Sequence, residues 1–149
     1  MAVRLQADTF DTGAEISRLT AGRTDAGAVV TFTGLCRADG ETGAISAMTL
    51  EHFPGMAEEE LDRLEAEART RWPLLDCLIV HRYGRLVPGD PIVLVVTLSA
   101  HREAAFAAAN FLMDYLKTTA PFWKKEENAE GAQWVDAKQS DETARRQWR

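Results

Sequence analysis

The sequence predicts an α+β fold, a sandwich of antiparallel strands with packed helices, and three observations carry that prediction. Two long segments, around 57–72 and 102–116, repeat apolar residues at helical spacing. Several short runs rich in β-branched residues read as strands. The run Val87-Pro88-Gly89-Asp90 joins two of them closely enough to make antiparallel neighbours. At 149 residues and 46% apolar, the chain fits one domain over 1–149 with a sizeable core and no internal repeat.

In chain order, Val3 and Leu5 alternate with polar residues and predict a first strand within Met1–Thr9. A short helix is expected around Ala14–Leu19, followed by a Gly-containing loop. AVVTFT at Ala28–Thr33 reads as a strand, with Gly34 opening its exit loop. Gly40 and Gly43 punctuate a polar segment expected to close over a ligand. Ile45–Phe53 reads as another strand, turned by Pro54-Gly55 into a helix bearing Ala57, Leu61, Leu64, Ala68 and Trp72, which Pro73 stops. Leu75–Tyr83 alternates as a strand, Gly84–Asp90 carries turn signals, and Ile92–Leu98 is a nearly continuous β-rich run.

The stretch Ser99–Glu127 organises the rest. Ala105, Ala109, Leu112 and Leu116, widened by Phe106 and Met113, form the apolar stripe of a helix with cations at both ends. His101 and Arg102 lie in its first turn, where the dipole favours anions. Lys117 lies at its far end. Pro121 ends helical geometry, and the turn it predicts folds Lys124 and Lys125 back toward Lys117. Gln133–Ala137 is expected as an edge strand. The tail Gln139–Arg149 is polar enough to fray, with docking through Trp148 as the alternative.

A net charge of −6 argues against a general nucleic-acid binder, which needs a broad positive surface, but leaves room for a local anion site. No apolar run reaches membrane-spanning length and no export signal stands at the N-terminus, so a cytoplasmic location without membrane contact is expected. Cys36 and Cys77 make neither a disulfide framework nor a metal motif, and the three histidines are dispersed; no metal is expected. Cys77 reads as a core strand residue. Cys36 beside Arg37 has the makings of an activated thiol but lacks an adjacent base.

Arg37, His101, Arg102, Lys117, Lys124 and Lys125 supply more cations than a neutral substrate needs. Arginines bind phosphate or carboxylate bidentately, while lysines offer point donors and, when desolvated or crowded by like charge, nucleophilic or proton-transfer chemistry. For each lysine alone a surface role competes. His101 has two jobs open to it, ligand hydrogen bonding and structural support. His81 reads as a hydrogen-bonded residue at the core edge, His52 as support for the Pro54-Gly55 turn, and Glu126 as a group orienting Lys124 or Arg37. Phe122 and Trp123 either wall a ligand or pack on the sheet.

The segments FTGLCR at 32–37, LEHFPGM at 50–56, HRYG at 81–84, SAHREAAF at 99–106, MDYLKTTAPFWKKE at 113–126 and GAQWVDA at 131–137 together resemble the large, catalytic subunit of molybdopterin synthase. The resemblance covers Phe32–Ala137 and implies an α/β hammerhead-type fold and a cytoplasmic sulfurtransferase. It implies that cyclic pyranopterin monophosphate is converted to molybdopterin by two sulfur transfers, with no permanently bound cofactor. The sulfur comes from the Gly-Gly thiocarboxylate at the C-terminus of a small ubiquitin-like carrier, and a homodimer of large subunits sits within a heterotetramer.

By the same resemblance Lys117 and Lys124 are the catalytic lysines. Leu35, Cys36, Arg37, His101, Arg102, Lys125 and Glu126 join them as substrate-binding residues. Cys36 stands where a non-thiol is expected, so no nucleophilic role passes to it. The competing classes are a non-catalytic protein that binds a ubiquitin-like partner and a phosphate-handling enzyme with another anionic substrate.

Overall fold

A computed structural model describes residues 2–118 and 122–135 together with Trp148. Its elements are β1 (Ala2–Gln6), α1 (Thr12–Thr20), β2 (Ala28–Leu35), β3 (Asp39–Gly40), β4 (Gly43–Ala44), β5 (Ala47–His52), α2 (Met56–Arg71), β6 (Leu74–Arg82), β7 (Gly84–Leu86), β8 (Pro91–Ser99), α3 (Arg102–Leu116), β9 (Phe122–Asn128) and β10 (Gly131–Val135). They form two four-stranded sheets, ordered β1-β6-β8-β2 and β10-β9-β5-β7, and a two-stranded hairpin, β3-β4. The fold class is α+β as expected. The first sheet is mixed rather than wholly antiparallel, because β1 runs parallel to β6.

Strands β6 and β8 lie at the centre of the first sheet and are covered on both faces, which explains their nearly unbroken apolar sequence. On one face Cys77, Ile79, Val93 and Val95 meet Leu61, Leu64 and Ala68 of α2 and Phe111, Leu112 and Leu116 of α3. On the other, Leu78, Val80, Leu94, Val96 and Leu98 take Phe10 and Leu19. Each fully buried Leu or Ile stabilises the fold by about 1.5–3 kcal/mol, so this double-sided packing is the main anchor of the architecture. Helix α2 stops where Pro73 requires: Trp72 is already extended, at φ −135° and ψ 150°.

The strand limits and placements refine the expectations. Strand β2 continues past Gly34 to Leu35, because β8 still offers partners at Val93 and Pro91. The segment carrying turn signals, Gly84–Asp90, also contains β7, which Leu86, fully buried, pins against Met48 of β5. Lys124 and Lys125 lie not in a turn but in β9, paired with β5 on one side and β10 on the other. The edge strand begins at Gly131; Asp136 and Ala137 lie outside the described residues, as does the turn expected at Pro121.

The segment carrying Gly40 and Gly43 is a hairpin rather than an open loop. Its turn needs Gly43, whose φ is 108°. Of the tail, Trp148 is docked: its ring packs edge-on against Trp72 and Phe111, its indole N–H donates to Asp114, and Arg71 donates to its carbonyl. The remaining tail residues are outside the described set.

Candidate active site

A cavity of about 380 Å³ opens where the end of the first sheet, the second sheet and the C-terminus of α3 meet. That volume suits a small-molecule site. Its floor is apolar, with Met48, Leu50, Ile92 and Val93, and its rim carries the exposed Leu35.

Three cations from separate segments reach it: Arg37 after β2, Lys117 at the end of α3, and Lys124 on β9. Lys117 caps its helix, its backbone N–H donating to Met113. Its ammonium therefore leaves from the last turn. Lys124 faces the cavity because strand alternation puts it on the same side as Glu126. The same alternation turns Lys125 outward, where its ammonium lies 5.4 Å from the centre of the Trp134 ring. Lys125 does not line the cavity.

Glu126 sits beneath the hairpin, 1% exposed. One carboxylate oxygen accepts the Glu41 N–H at 2.9 Å; the other accepts the Thr42 N–H at 2.9 Å and the Thr42 hydroxyl at 2.8 Å. Burial pushes its pKa up, but these donors, with Lys124 nearby, outweigh it and hold the carboxyl below its ordinary range. The Lys124 ammonium lies 3.9 Å from Glu126 and 3.7 Å from Glu41. Gly40 is required by proximity: a Cβ there would stand 2.4 Å from the Glu126 carboxylate. Glu126 thus positions the hairpin and Lys124 from beneath.

Cys36 is buried and tied into the backbone, donating its N–H to Asp90 and accepting from Gly89, both at 2.8 Å. Burial, then Asp90 and Glu126, push its thiol pKa up. It is the opposite of an activated nucleophile. His81 also borders the cavity, 7% exposed and stacked on Phe122 at 3.9 Å. Its Nδ1 lies 2.8 Å from the Arg82 carbonyl, which can only accept, so Nδ1 carries the proton. Burial pushes its pKa down to about 4, aided by His52 and Lys117, so the ring is neutral at pH 7. Trp123 faces solvent, edge-on to Phe53.

His101 and Arg102 are not brought to this cavity. They lie at the N-terminus of α3 beside Gly27, Ala100 and Glu103, and a 15-residue helix places them about 22 Å from Lys117. Of the two aromatics read as wall or packing residues, Phe122 lines the cavity and Trp123 does not; Asp39 and Glu41 also line it and were not among the expected site residues, the paired glycines at 40 and 43 being their signal. Among the described residues, no group of three or more His, Cys, Asp or Glu gathers as a metal site, and no helix is long and apolar enough to cross a membrane.

The sequence model of the family described as MoaE protein matches residues 5–119. The molybdopterin synthase catalytic subunit of Mesorhizobium japonicum is 58% identical over 149 residues, spanning 99% of this chain and 92% of that protein. The subunit of the same description from Rhizobium meliloti is 56% identical over 150 residues, 99% and 96% of the two chains. A solved structure, the molybdopterin biosynthesis MoaE protein from Burkholderia ambifaria, superposes with a TM-score of 0.84 at 49% identity, covering 99% of this chain and 98% of its own.

Proposed function

The chain belongs to the MoaE protein family, and from that premise we propose that the cavity under the hairpin is where sulfur is transferred. The activity is that of a molybdopterin synthase catalytic subunit, a sulfurtransferase that converts cyclic pyranopterin monophosphate to molybdopterin with sulfur delivered by a small carrier subunit. One observation carries the assignment of the site: Arg37, Lys117 and Lys124, far apart in sequence, line a single cavity.

The chemistry asks for what this cavity holds. A phosphate and a thiocarboxylate are both anions, and moving sulfur from an acyl carbon to the pterin passes through oxyanionic species that fixed cations stabilise. Water must then supply the oxygen that returns the carrier's terminus to a carboxylate. We assign Arg37 to hold an anionic group bidentately, Lys117 to the leading covalent or proton-transfer role, and Lys124 to electrostatic and proton-transfer support. Two transfers from Gly-Gly thiocarboxylate termini complete the dithiolene. Carrier docking makes each transfer effectively intramolecular, and the exposed Leu35 and Phe32 offer an apolar rim for the incoming tail.

His101 and Arg102 fit this reading when a second copy of the chain supplies them, since one chain holds them at the wrong end of α3. The exposed Phe106 on that helix and Val29 on the edge strand β2 support such a homodimer, flanked by carriers as a heterotetramer. The test combines the purified chain with thiocarboxylated carrier and cyclic pyranopterin monophosphate, identifying the sulfurated product by mass spectrometry. Lys117→Ala should slow single-turnover transfer by about 100-fold or more while carrier affinity is unchanged; normal transfer by that variant would reject the leading role.

A further inference from the structure

His81 brings to the cavity a chemistry unlike that of its neighbours. As cations Arg37, Lys117 and Lys124 only donate, and as carboxylates Asp39, Glu41 and Glu126 only accept. His81 instead offers a neutral ring. Three segments fix its plane: it stacks on Phe122 of β9 at 3.9 Å and 13°, Phe122 meets His52 of β5 at 6.2 Å, and His52 meets Tyr83 at 4.6 Å. The tautomer is fixed as well, because Nδ1 donates to the Arg82 carbonyl at 2.8 Å. Nε2 is left with an in-plane lone pair.

That lone pair is open. Among the described residues no donor reaches Nε2, yet the atom is not sealed into the core as the Glu65 Oε2 is. The space His81 borders is the cavity. Burial, with the Lys117 charge nearby, keeps the ring unprotonated at neutral pH, so no proton competes for the site. A neutral acceptor offers nothing to an anion; its match is an N–H. The apolar floor, which includes Val93, the cross-strand partner of His81, suits the face of a flat ring.

We propose that His81 Nε2 accepts a ring N–H of the pyranopterin, making His81 a specificity-determining residue that selects the heterocycle while the cations select its anionic group. The proposal rests on the reading that this cavity takes the pterin.

The experiment measures binding of cyclic pyranopterin monophosphate, and of inorganic sulfate as an anion with no proton to donate, to the full chain by calorimetry. His81→Phe keeps a flat ring on Phe122 and removes the acceptor. It should weaken pterin binding about tenfold and leave sulfate binding unchanged. In the native protein, the ¹⁵N signal of the unprotonated Nε2 should move upfield with the pterin and not with sulfate. Equal pterin affinity in native and His81→Phe protein would overturn the acceptor alone, as would an equal loss for sulfate, which would mark a deformed cavity. Should His81→Phe fail to fold, the Nε2 signal decides: one that stays put with saturating pterin refutes the contact. A signal that moves only when the carrier is added also refutes it, because the donor would then be a Gly N–H of the carrier tail. Native protein that binds sulfate but no pterin would bring down the reading of the cavity itself.

Discussion

Replacing Glu126 with Gln changes hardly any volume yet should unlatch the hairpin. Both carboxylate oxygens accept, one from the Glu41 N–H and the other from the Thr42 N–H and hydroxyl. A carboxamide keeps one oxygen, so either orientation points an NH₂ group at a backbone N–H. The loss is at least one charge-assisted hydrogen bond, about 1.5–3 kcal/mol. A hairpin of two-residue strands has little stability of its own, so the effect should appear as local opening rather than as a large fall in Tm. Amide hydrogen exchange read by NMR is the suitable assay. A loss of about 2 kcal/mol should speed exchange at Glu41 and Thr42 roughly 30-fold while the core strand β8 is unchanged. Acid should act in the same direction. Because the folded carboxyl titrates below its ordinary value of 4.5, its stabilisation is complete above that pH and is lost as pH falls through the lower folded value. Unchanged exchange at both amides in Glu126→Gln would refute the latch.

Three further outcomes follow from the buried groups. His81, with a pKa near 4, should keep the ¹⁵N shifts of a neutral, Nδ1-protonated ring from pH 8 to pH 5; because its folded value lies below 6.5, it should lower stability as pH falls from about 6.5 toward 4 and cost nothing above that window. Cys77, pushed to about 12, and Cys36, also raised, should resist iodoacetamide in the native protein at pH 7.5, as followed by intact mass; rapid labelling of Cys36 would contradict its burial. Trp148→Ala removes a half-buried ring from Trp72 and Phe111 and should cost about 1–2 kcal/mol, a fall in Tm of roughly 2–8 °C by calorimetry.

The helices and the central strands were legible because their apolar residues repeat with the period of the element that buries them; Phe106, read as part of the α3 stripe, is the exception and faces solvent. Leu61, Leu64 and Ala68 in α2, and Leu112 and Leu116 in α3, all reach the core that their spacing implies. Strand β9 was not legible. Its sequence FWKKEEN has no apolar alternation, because beyond Phe122 the face that turns inward presents Lys124 and Glu126 to the cavity and the hairpin rather than to the core; pairing with β5 and β10 makes it a strand. The shared cavity of Lys117 and Lys124 depends on that pairing, so spacing alone left it open and family resemblance pointed to it. The segregation of Lys125 from Lys124 follows from the same strand geometry and was hidden by reading the two as one cluster. Glu126 gave no signal of its burial, since a carboxylate in a charged run ordinarily faces solvent. His81 and Cys77 ended where their strand positions suggested, buried on β6.

The two-way backbone pairing between Cys36 and the Gly89-Asp90 corner carries a consequence for how this enzyme can be altered. Arg37 follows directly on the bridged residue, so the guanidinium takes its bearing from a bend more than fifty positions downstream that does not itself line the cavity. Asp90 further stiffens that bend by accepting the Val87 N–H. Substitutions at 87–90 are thus a remote adjustment screw for the arginine, able to retune its reach while every group in contact with the reactants keeps its identity.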